Sequence, residues 1–488
     1  MPVSAMSGIG GRSPWNPRAR LALAAAVAVG VIACAVALLA GHSPAQAGPL
    51  PIPPNVVVIQ TDDQDLGTMK AMPATKLLIG DEGATFKNHF ATHPVCCPSR
   101  ATLLTGQYSH NHGVLSNNAA NHGGYASLDH SETLPVWLDR AGYATAHVGK
   151  YLNGTPIDAI PPGWDEWYSS FRNETERFYS YRLNENGTLV EYGNDPEDYS
   201  TDVYAGLAED FIERRIDDVD PFYLQVDTFA PHREKSREPL PRNPRPAPRH
   251  ELAFLDEPFP KPPSFDEADV SDKPEFLRRG SLSQVAKSKI RNRYRDRLAS
   301  LLAVDELVAR LVDALEQGGE LENTIIVFTS DNGFLQGEHR FQRGKRELWE
   351  ESVGVPLLIR GPGFAPGSRV RQLTGNIDLA PTILRATGAV HAGHKLDGRA
   401  LQPLVADPGR ARDRVMLLEN GVHGSRAIRT RRWVFIKHLS GKELYDLKRD
   451  PYQMESLHDS ERASVKRVKR SLASQLRELE DCVGRVEC

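Results

Sequence analysis

Two short apolar runs stand out along the chain, because each is rich in β-branched residues and each leads into acidic or amide residues. The runs are residues 55–60 and 324–330, and the polar residues that follow are Asp62 and Asp63, then Asp331 and Asn332. Continuous apolar runs of this length are typical of strands buried on both faces of a parallel sheet. An isolated acidic pair would more simply be a solvated loop. Two such strand ends favour a shared site, since parallel sheets bind ligands at the carboxyl ends of their strands.

Further strands and helices alternate with these two runs. Apolar periodicity predicts helices over residues 134–141 and 293–316. Additional buried strands are predicted over residues 142–150, 222–226 and 355–359. Helices that alternate with buried strands predict an α/β fold with a mostly parallel central sheet flanked by helices.

The pattern changes from about residue 398. Short strands are predicted over residues 414–419, 433–437 and 443–447, and a helix follows near residues 462–479. We therefore predict a large α/β domain over residues 48–397 and a small C-terminal α+β subdomain over residues 398–488.

Residues 233–275 are rich in proline and charge, with repeated Pro-Arg and Pro-Pro pairs. Such a stretch does not build a regular helix or strand, so it is predicted to be a long surface excursion. It directly follows His232. It either covers a neighbouring cleft or is a passive insertion, and the sequence leaves both open.

The first 47 residues are predicted to be a signal peptide. Arg18 and Arg20 precede an apolar run at residues 21–40, and Ala45 and Ala47 form a small-x-small cleavage site. The protein is therefore expected to be secreted or extracytoplasmic. The apolar run is long enough to span a bilayer, so retention as a membrane anchor is the alternative.

Composition gives no indication of a nucleic-acid partner. The chain has 488 residues, a formal charge of −4 and no Lys/Arg block of the kind found in binding tails. Its five cysteines do not form a disulfide framework. Cys482 and Cys488 are close enough in sequence to close a small loop, and their pairing stays open. The pair His110 and His112 lacks partners at zinc spacing and is not predicted to bind a metal.

The most informative stretch is residues 96–106, CCPSRATLLTG. Its proline suits the first turn of a helix, and Gly106 offers a left-handed stop. We therefore predict a short helix with Cys96 and Cys97 at its N-terminus, where free N–H groups and the helix dipole favour an anion. Arg100 adds forked donors suited to sulfate or phosphate. The stretch predicts an oxyanion pocket with a sulfur atom at its edge.

The order Cys-x-Pro-Ser-Arg followed by Thr-Gly resembles the signature of the type I sulfatases. The resemblance implies an alkaline-phosphatase-like α/β domain with a small C-terminal antiparallel sheet. It also implies that Cys96 is oxidised to formylglycine by a formylglycine-generating enzyme. The alternative interpretation of Cys96 and Cys97 is a buried structural thiol pair beside a helix cap.

The resemblance further implies a calcium site. Its ligands would be Asp62, Asp63, Asp331 and Asn332, completed by the modified Cys96. Carboxylate and amide oxygens are hard ligands that suit Ca²⁺ or Mg²⁺ rather than zinc. Related phosphatases carry histidine where Asn332 stands, which disfavours a dizinc phosphatase.

Sulfate-binding residues are implied in the same way. Arg100, Lys150 and Lys345 match cationic positions of the family. His232 matches a sulfate-contacting histidine, and its place after a predicted strand makes it a candidate general acid. Many sulfatases have a histidine two residues after the first lysine, where this chain has Leu152.

Within the family, residues 149–153 (GKYLN), 163–168 (GWDEWY) and 376–378 (NID) most resemble the N-acetylglucosamine-6-sulfatase and heparan endosulfatase group. The resemblance predicts a hydrolase that removes sulfate from a sulfated sugar such as N-acetylglucosamine-6-sulfate. An arylsulfatase or phosphonate monoester hydrolase with the same pocket is a second hypothesis. A third is a non-catalytic carbohydrate-binding protein in which Cys96 stays unmodified.

Overall fold

The computed structural model describes residues 53–235, 243–409, 414–421 and 424–488. The predicted signal peptide lies outside the described residues. Across these ranges, no helix combines the length and apolar character needed to cross a bilayer.

The described residues form a ten-stranded sheet whose centre consists of the predicted apolar runs. Along the chain its strands are β1 (Asn55–Thr61), β2 (Ala84–Phe90), β3 (Ala144–Lys150), β4 (Glu166–Ser170), β5 (Tyr181–Glu185), β6 (Thr188–Tyr192), β7 (Phe222–Asp227), β8 (Thr324–Ser330), β9 (Leu357–Arg360) and β10 (Ser368–Gly375). Across the sheet the order is β10-β2-β9-β8-β1-β7-β3-β4-β5-β6.

Five adjacent strands, from β8 to β4, run parallel. The strands β9, β5 and β6 are antiparallel to their neighbours, and β10 runs parallel to β2. The predicted mostly parallel sheet is confirmed. Thr61 of β1 pairs with Ser330 of β8, so the acidic residues that follow these two strands leave the sheet at the same level.

Helices cover both faces of this sheet, as the fully apolar strands predict. Val57 and Ile59 of β1 face one core, while Val56 and Val58 face the other. The helices are α1 (Pro73–Thr75), α2 (Cys96–Thr105), α3 (Ser109–His112), α4 (Leu134–Asp139), α5 (Ser200–Arg215), α6 (Gln284–Gln317), α7 (Glu350–Val353), α8 (Leu379–Thr387), α9 (Gln402–Ala406) and α10 (Ala463–Leu479).

Helix α6 begins earlier than the predicted start at residue 293. The Ser283 side chain accepts a hydrogen bond from the Ala286 amide at 3.2 Å and caps the helix at Gln284. The extra turns bury Ala286 and Ile290. With α5, this helix packs over one face of the sheet.

A second, four-stranded antiparallel sheet follows in the chain. Its strands are β11 (Met416–Asn420), β12 (Ser425–Arg429), β13 (Trp433–Lys437) and β14 (Lys442–Asp446). Apolar residues of α10 pack against this sheet, and a disulfide joins Cys482 to Cys488. The antiparallel C-terminal sheet is confirmed, and the boundary at residue 398 stays a prediction.

The Pro-rich excursion is irregular, as expected, but part of it is buried. Its described residues, 233–235 and 243–275, contain one short 3₁₀ turn at Pro248–His250, the first residue of another at Glu275–Leu277, and no α-helix or ladder strand. Ser264, Glu267 and Lys273 are buried, and Lys273 pairs with Glu267 at 2.9 Å. The excursion is therefore anchored to the domain rather than lying wholly on the surface.

We predict that Trp349→Ala lowers the free energy of unfolding by about 3–5 kcal/mol. Trp349 is 1% exposed, packs among residues of the small sheet and donates to Glu443 Oε2 at 3.1 Å. Urea unfolding followed by circular dichroism measures the loss. Leu439→Ala, at a side chain 85% exposed, is the control and should change stability by less than about 0.5 kcal/mol. A loss below about 1 kcal/mol for Trp349→Ala would contradict the packing argument.

Candidate functional site

The ends of β1 and β8 bring four buried oxygen-bearing side chains together. They are Asp62, Asp63, Asp331 and Asn332. The Asp63 amide donates to Asp331 Oδ1 at 3.0 Å, and Asn332 Nδ2 donates to Asp63 Oδ1 at 2.7 Å. Two strand ends that are far apart in the chain therefore meet in one acidic cluster, as the sequence predicted.

The turn after β1 is held in an uncommon conformation. Asp63 has a φ of 66°, in the left-handed region that non-glycine residues seldom occupy. Arg297 of α6 donates to the Asp63 carbonyl and to Asp65 Oδ2, the latter at 2.9 Å. The Gln64 amide donates to Ser330 Oγ at 2.9 Å. Such backbone persists only where its surroundings fix it, which is common at functional sites.

The cysteine-bearing helix points its N-terminus at this cluster. Val95 is the extended residue before the helix, Cys96 is its first residue, and Gly106 ends it at a φ of 65°. The helix thus begins at Cys96, as predicted, and Pro98 lies in its first turn. Cys96 is buried, and its Sγ lies 3.6 Å from Asp62 Oδ1.

Two lysines complete the charge balance around Cys96. Lys345 Nζ lies 2.7 Å from Cys96 Sγ and contacts the Asp63 carboxylate. Lys150, at the end of β3, contacts the Asp62 carboxylate and is fully buried. The cluster therefore combines carboxylates with ammonium groups in a volume from which water is largely excluded.

Arg100 ties the helix to the strand ends and leaves one donor unused. Its Nε donates to Asp331 Oδ2 at 3.0 Å, and its Nη1 donates to the Lys150 carbonyl at 2.6 Å. Its Nη2 is buried without a hydrogen-bond partner among the described residues. Buried donors nearly always have a hydrogen-bond acceptor, so the unpartnered Nη2 indicates that an anion can bind here.

His232 lies at the more open side of the cluster. Its Nδ1 is 2.8 Å from the Arg233 carbonyl, and its Nε2 is 3.6 Å from Asp63 Oδ2. A carbonyl only accepts hydrogen bonds, so Nδ1 carries a proton and donates. Nε2 is therefore the nitrogen that can exchange a proton with a ligand.

Burial and charge set the protonation of the cluster. Burial, and after it the charge of the Asp62 carboxylate, raise the pKa of the Cys96 thiol to about 12. Burial also favours neutral Asp62, but the charges of Lys150 and His232 hold its pKa below the ordinary value. Burial and the Asp62 charge raise the pKa of Asp331. The encoded thiol is therefore a poor nucleophile, and the carboxylates still repel one another.

Arg100 is supported by a pair of residues, His147 and Asp227, that the sequence did not predict. His147 Nε2 lies 3.0 Å from Asp227 Oδ2, which also accepts from Gln225 Nε2 at 2.7 Å. Asp227 Oδ1 lies 3.4 Å from Arg100 Nη1. His147 lies within the predicted strand 142–150, and Asp227 directly follows the predicted strand 222–226. These positions, in one predicted strand and at the end of another, were the features of the sequence from which the pair could have been predicted.

The other histidine candidates lie elsewhere. His110 Nδ1 pairs with Glu419 Oε1 at 3.0 Å, and His112 Nε2 lies 3.1 Å from Thr102 Oγ1. Leu152 is buried in an apolar core. Among the described residues, the candidate metal-binding groups contain a single histidine, His232.

The donor set fits a hard cation. Asp62, Cys96 and Asp331 form one candidate metal-binding group, and Asp62, Asp63 and His232 form another, each with ligand atoms within 4.8 Å of one another. Carboxylate oxygens dominate both groups, which suits Ca²⁺ or Mg²⁺. A divalent cation would also relieve the carboxylate repulsion.

Comparison with known proteins gives consistent matches. The sulfatase family profile matches residues 54–389, and the profile for the C-terminal part of N-sulphoglucosamine sulphohydrolase matches residues 337–482. N-acetylglucosamine-6-sulfatase of Homo sapiens is 37% identical over 368 residues, which cover 72% of this chain but 64% of that protein. An arylsulfatase of Volvox carteri is 34% identical over 475 residues, covering 85% of this chain and 73% of that protein.

A solved structure is similar over most of its length. BT4656, in complex with its substrate D-glucosamine-2-N, 6-O-disulfate, superposes with a TM-score of 0.72 at 27% identity. The superposition covers 88% of this chain and 97% of that one.

We predict that the unmodified, metal-free protein is alkylated slowly at Cys96. A pKa of about 12 leaves a thiolate fraction at pH 8 that is roughly a thousandfold smaller than that of a free cysteine. The measurement is the rate of iodoacetamide labelling, resolved by peptide mass. The urea-unfolded protein is the control and should react at the rate of a free thiol. Labelling of the folded protein at that same rate would contradict the burial argument.

Proposed function

This chain belongs to the sulfatase family, and we propose that it is a hydrolase that removes sulfate from a sulfated amino sugar. The observation that carries the proposal is the meeting of Cys96 with the acidic cluster: its Sγ lies 3.6 Å from Asp62 Oδ1 and 2.7 Å from Lys345 Nζ. A sulfate ester bound here would contact the nucleophile at residue 96, the site for a hard metal ion and several cationic side chains.

We assign the cation site to Asp62, Asp63, Asp331 and Asn332, with residue 96 completing it. Bound Ca²⁺ would withdraw charge from the sulfate oxygens. Its support is the buried oxygen donor set. Burial and the charge of Asp62 raise the pKa of Asp331, and a bound cation would relieve this repulsion.

We infer that Cys96 must be converted to formylglycine before the protein is active. The encoded thiol is buried and protonated at neutral pH, so it cannot attack sulfur efficiently. Formylglycine, as its hydrate, would supply a hydroxyl nucleophile and a second hydroxyl through which the covalent sulfate ester can be released. The converting enzyme is the expected maturation partner.

The cationic side chains would hold the sulfate and the charge that develops on it. The buried Nη2 of Arg100 has no partner in the described chain, so it can bind a sulfate oxygen. Lys345 contacts Cys96 Sγ and Lys150 contacts the Asp62 carboxylate beside it, so both would stabilise negative charge at residue 96. Because their positions are fixed by the fold, little reorganisation would accompany the reaction.

His232 is proposed as the general acid for the leaving sugar oxygen. Its Nδ1 is occupied by the Arg233 carbonyl, which orients the ring and leaves Nε2 for proton transfer. The ring lies at the open side of the cluster, where the sugar must be accommodated.

An amino sugar is favoured as the substrate by the similarity to the human N-acetylglucosamine-6-sulfatase and to BT4656. The similarity to the algal arylsulfatase favours an aryl sulfate as the alternative substrate. Phosphonate monoester hydrolysis and carbohydrate binding without catalysis are the remaining hypotheses. Export is supported by the disulfide Cys482–Cys488, because disulfides persist in oxidising compartments.

We predict that Cys96→Ala lowers sulfate release from N-acetylglucosamine-6-sulfate by at least about a thousandfold, because the nucleophile is lost. The melting temperature should change little. Cys97→Ala, the adjacent buried thiol, is the matched control and should keep most of the activity. Intact-peptide mass across residue 96 of active protein should show the aldehyde. A thiol mass in fully active protein would exclude the proposed mechanism.

We also predict that Ca²⁺ stabilises the protein through this site. At 100 times the dissociation constant the gain is about 3 kcal/mol, read as a rise in melting temperature after chelator treatment and calcium addition. Asp331→Asn should lose most of this rise because one carboxylate ligand is removed. Asp256→Asn, at an exposed aspartate, should retain it. An undiminished rise in Asp331→Asn would argue against the assigned ligands.

A further inference from the structure

The pocket opens between two loops that both carry arginine. Of its charged side chains, Lys345 and His232 are the most exposed, at 13% and 8%. Arg343 precedes Lys345 by two residues, and Arg233 directly follows His232. Two residues of chain span at most ~7 Å, so the backbone of both arginines lies near the opening of the pocket. Both side chains are exposed, and the charge of Arg233 acts on Arg343.

A third arginine approaches the same place from helix α6. Arg293 donates from Nη1 to the carbonyl of Gln342 at 2.7 Å. One turn further along α6, Arg297 donates to the Pro231 carbonyl at 3.3 Å. The helix is therefore bonded to both loops, and Arg293 lies close enough to Arg343 and Arg233 for their charges to act on it.

None of these three arginines has an acidic partner in the described part of the chain. Among the described residues, no ion pair involves Arg233, Arg293 or Arg343, although Arg293 is only 9% exposed. Arg297 differs, because it is paired with Asp65 at 2.9 Å. A buried cation with no carboxylate within ion-pair distance is unfavourable, so this arrangement needs an explanation.

The electrostatics indicate mutual repulsion. Burial, and after it the charges of Arg343, Arg297 and Arg233, lower the pKa of Arg293 to about 10. The charge of Asp296 opposes this shift. The Asp296 carboxylate is itself bonded by Asn243 Nδ2 at 2.7 Å. A bound anion would turn this repulsion into attraction, and the guanidinium fork matches a sulfate or carboxylate group.

We propose that Arg233, Arg293 and Arg343 form a second anion-binding site at the mouth of the pocket. It holds a further sulfate or carboxylate of a substrate whose scissile sulfate lies at residue 96. The proposal rests on the proposed function and narrows it to multiply anionic sugars. The second anion belongs either to the same amino sugar, as an N-sulfate, or to a neighbouring uronic acid.

The kinetic test compares three substrates: glucosamine 6-sulfate, glucosamine 2-N,6-O-disulfate, and a disaccharide of glucosamine 6-sulfate with a uronic acid. We expect kcat/KM to be at least about tenfold higher for one or both of the last two, the effect of one charge-assisted contact. Preference for the disulfate identifies the N-sulfate, and preference for the disaccharide identifies the carboxylate.

The variants Arg343→Gln and Arg233→Gln should reduce that preference by about tenfold. Both side chains are exposed, so the fold should be retained. Arg467→Gln, at an exposed arginine of α10, is the matched control and should leave all three kcat/KM values unchanged. Equal kcat/KM for all three sugars in the wild type, or an unchanged preference in both variants, would overturn the second site.

A binding measurement separates this inference from the proposed function. By calorimetry, Cys96→Ala protein should bind a doubly anionic sugar at least about tenfold more tightly than glucosamine 6-sulfate, and the added Arg343→Gln change should remove the difference. Such binding without sulfate release from any sugar by the wild type would overturn the proposed function and keep the anion site. Sulfate release by the wild type, with equal binding of the sugars, would overturn the anion site and keep the proposed function.

Discussion

The candidate site depends on the register of two neighbouring parallel strands. Because Thr61 pairs with Ser330, the residues after β1 and β8 leave the sheet side by side. A slip of one residue would turn their side chains to the opposite face and separate the carboxylates. The strands are fully buried on both faces, so apolar packing in two cores fixes this register. Packing of the core therefore determines the geometry of the charges.

The need to pair the buried carboxylates explains why residues of the site come from many segments of the chain. A buried carboxylate is tolerated only with a partner, and the partners of this cluster come from a helix, a strand end and a loop. Arg100 arrives with α2, Lys150 with β3 and Lys345 with a loop beside buried Trp349. Each segment is positioned by a different part of the core. The site therefore forms only when the whole domain has folded.

The sequence predicted those parts of the fold that local patterns determine. The apolar runs that became β1, β7 and β8 were visible because both their faces are buried. The strands β5 and β6 were not anticipated, since β6 is largely exposed and lacks such a run. The nine candidate site residues came from strand ends and motif resemblance, and the structure places all of them in one cluster. His147 and the three arginines were missed because their significance lies in contacts between distant segments.

The pocket has a closed side and an open side, and the residues of the two sides differ in burial and in charge balance. The closed side is built on strand and helix ends, where burial leaves little freedom and charges must balance among themselves. The open side is built on the loops that carry His232 and Lys345, where exposure permits unpaired charge and where loops generally carry specificity. Arg233 and Arg343 belong to that side, yet Arg293 of α6 holds the loop of Arg343 through the Gln342 carbonyl. A rigid helix therefore fixes part of a surface that would otherwise be mobile, as expected where a charged ligand must be held at a defined distance from the reacting group.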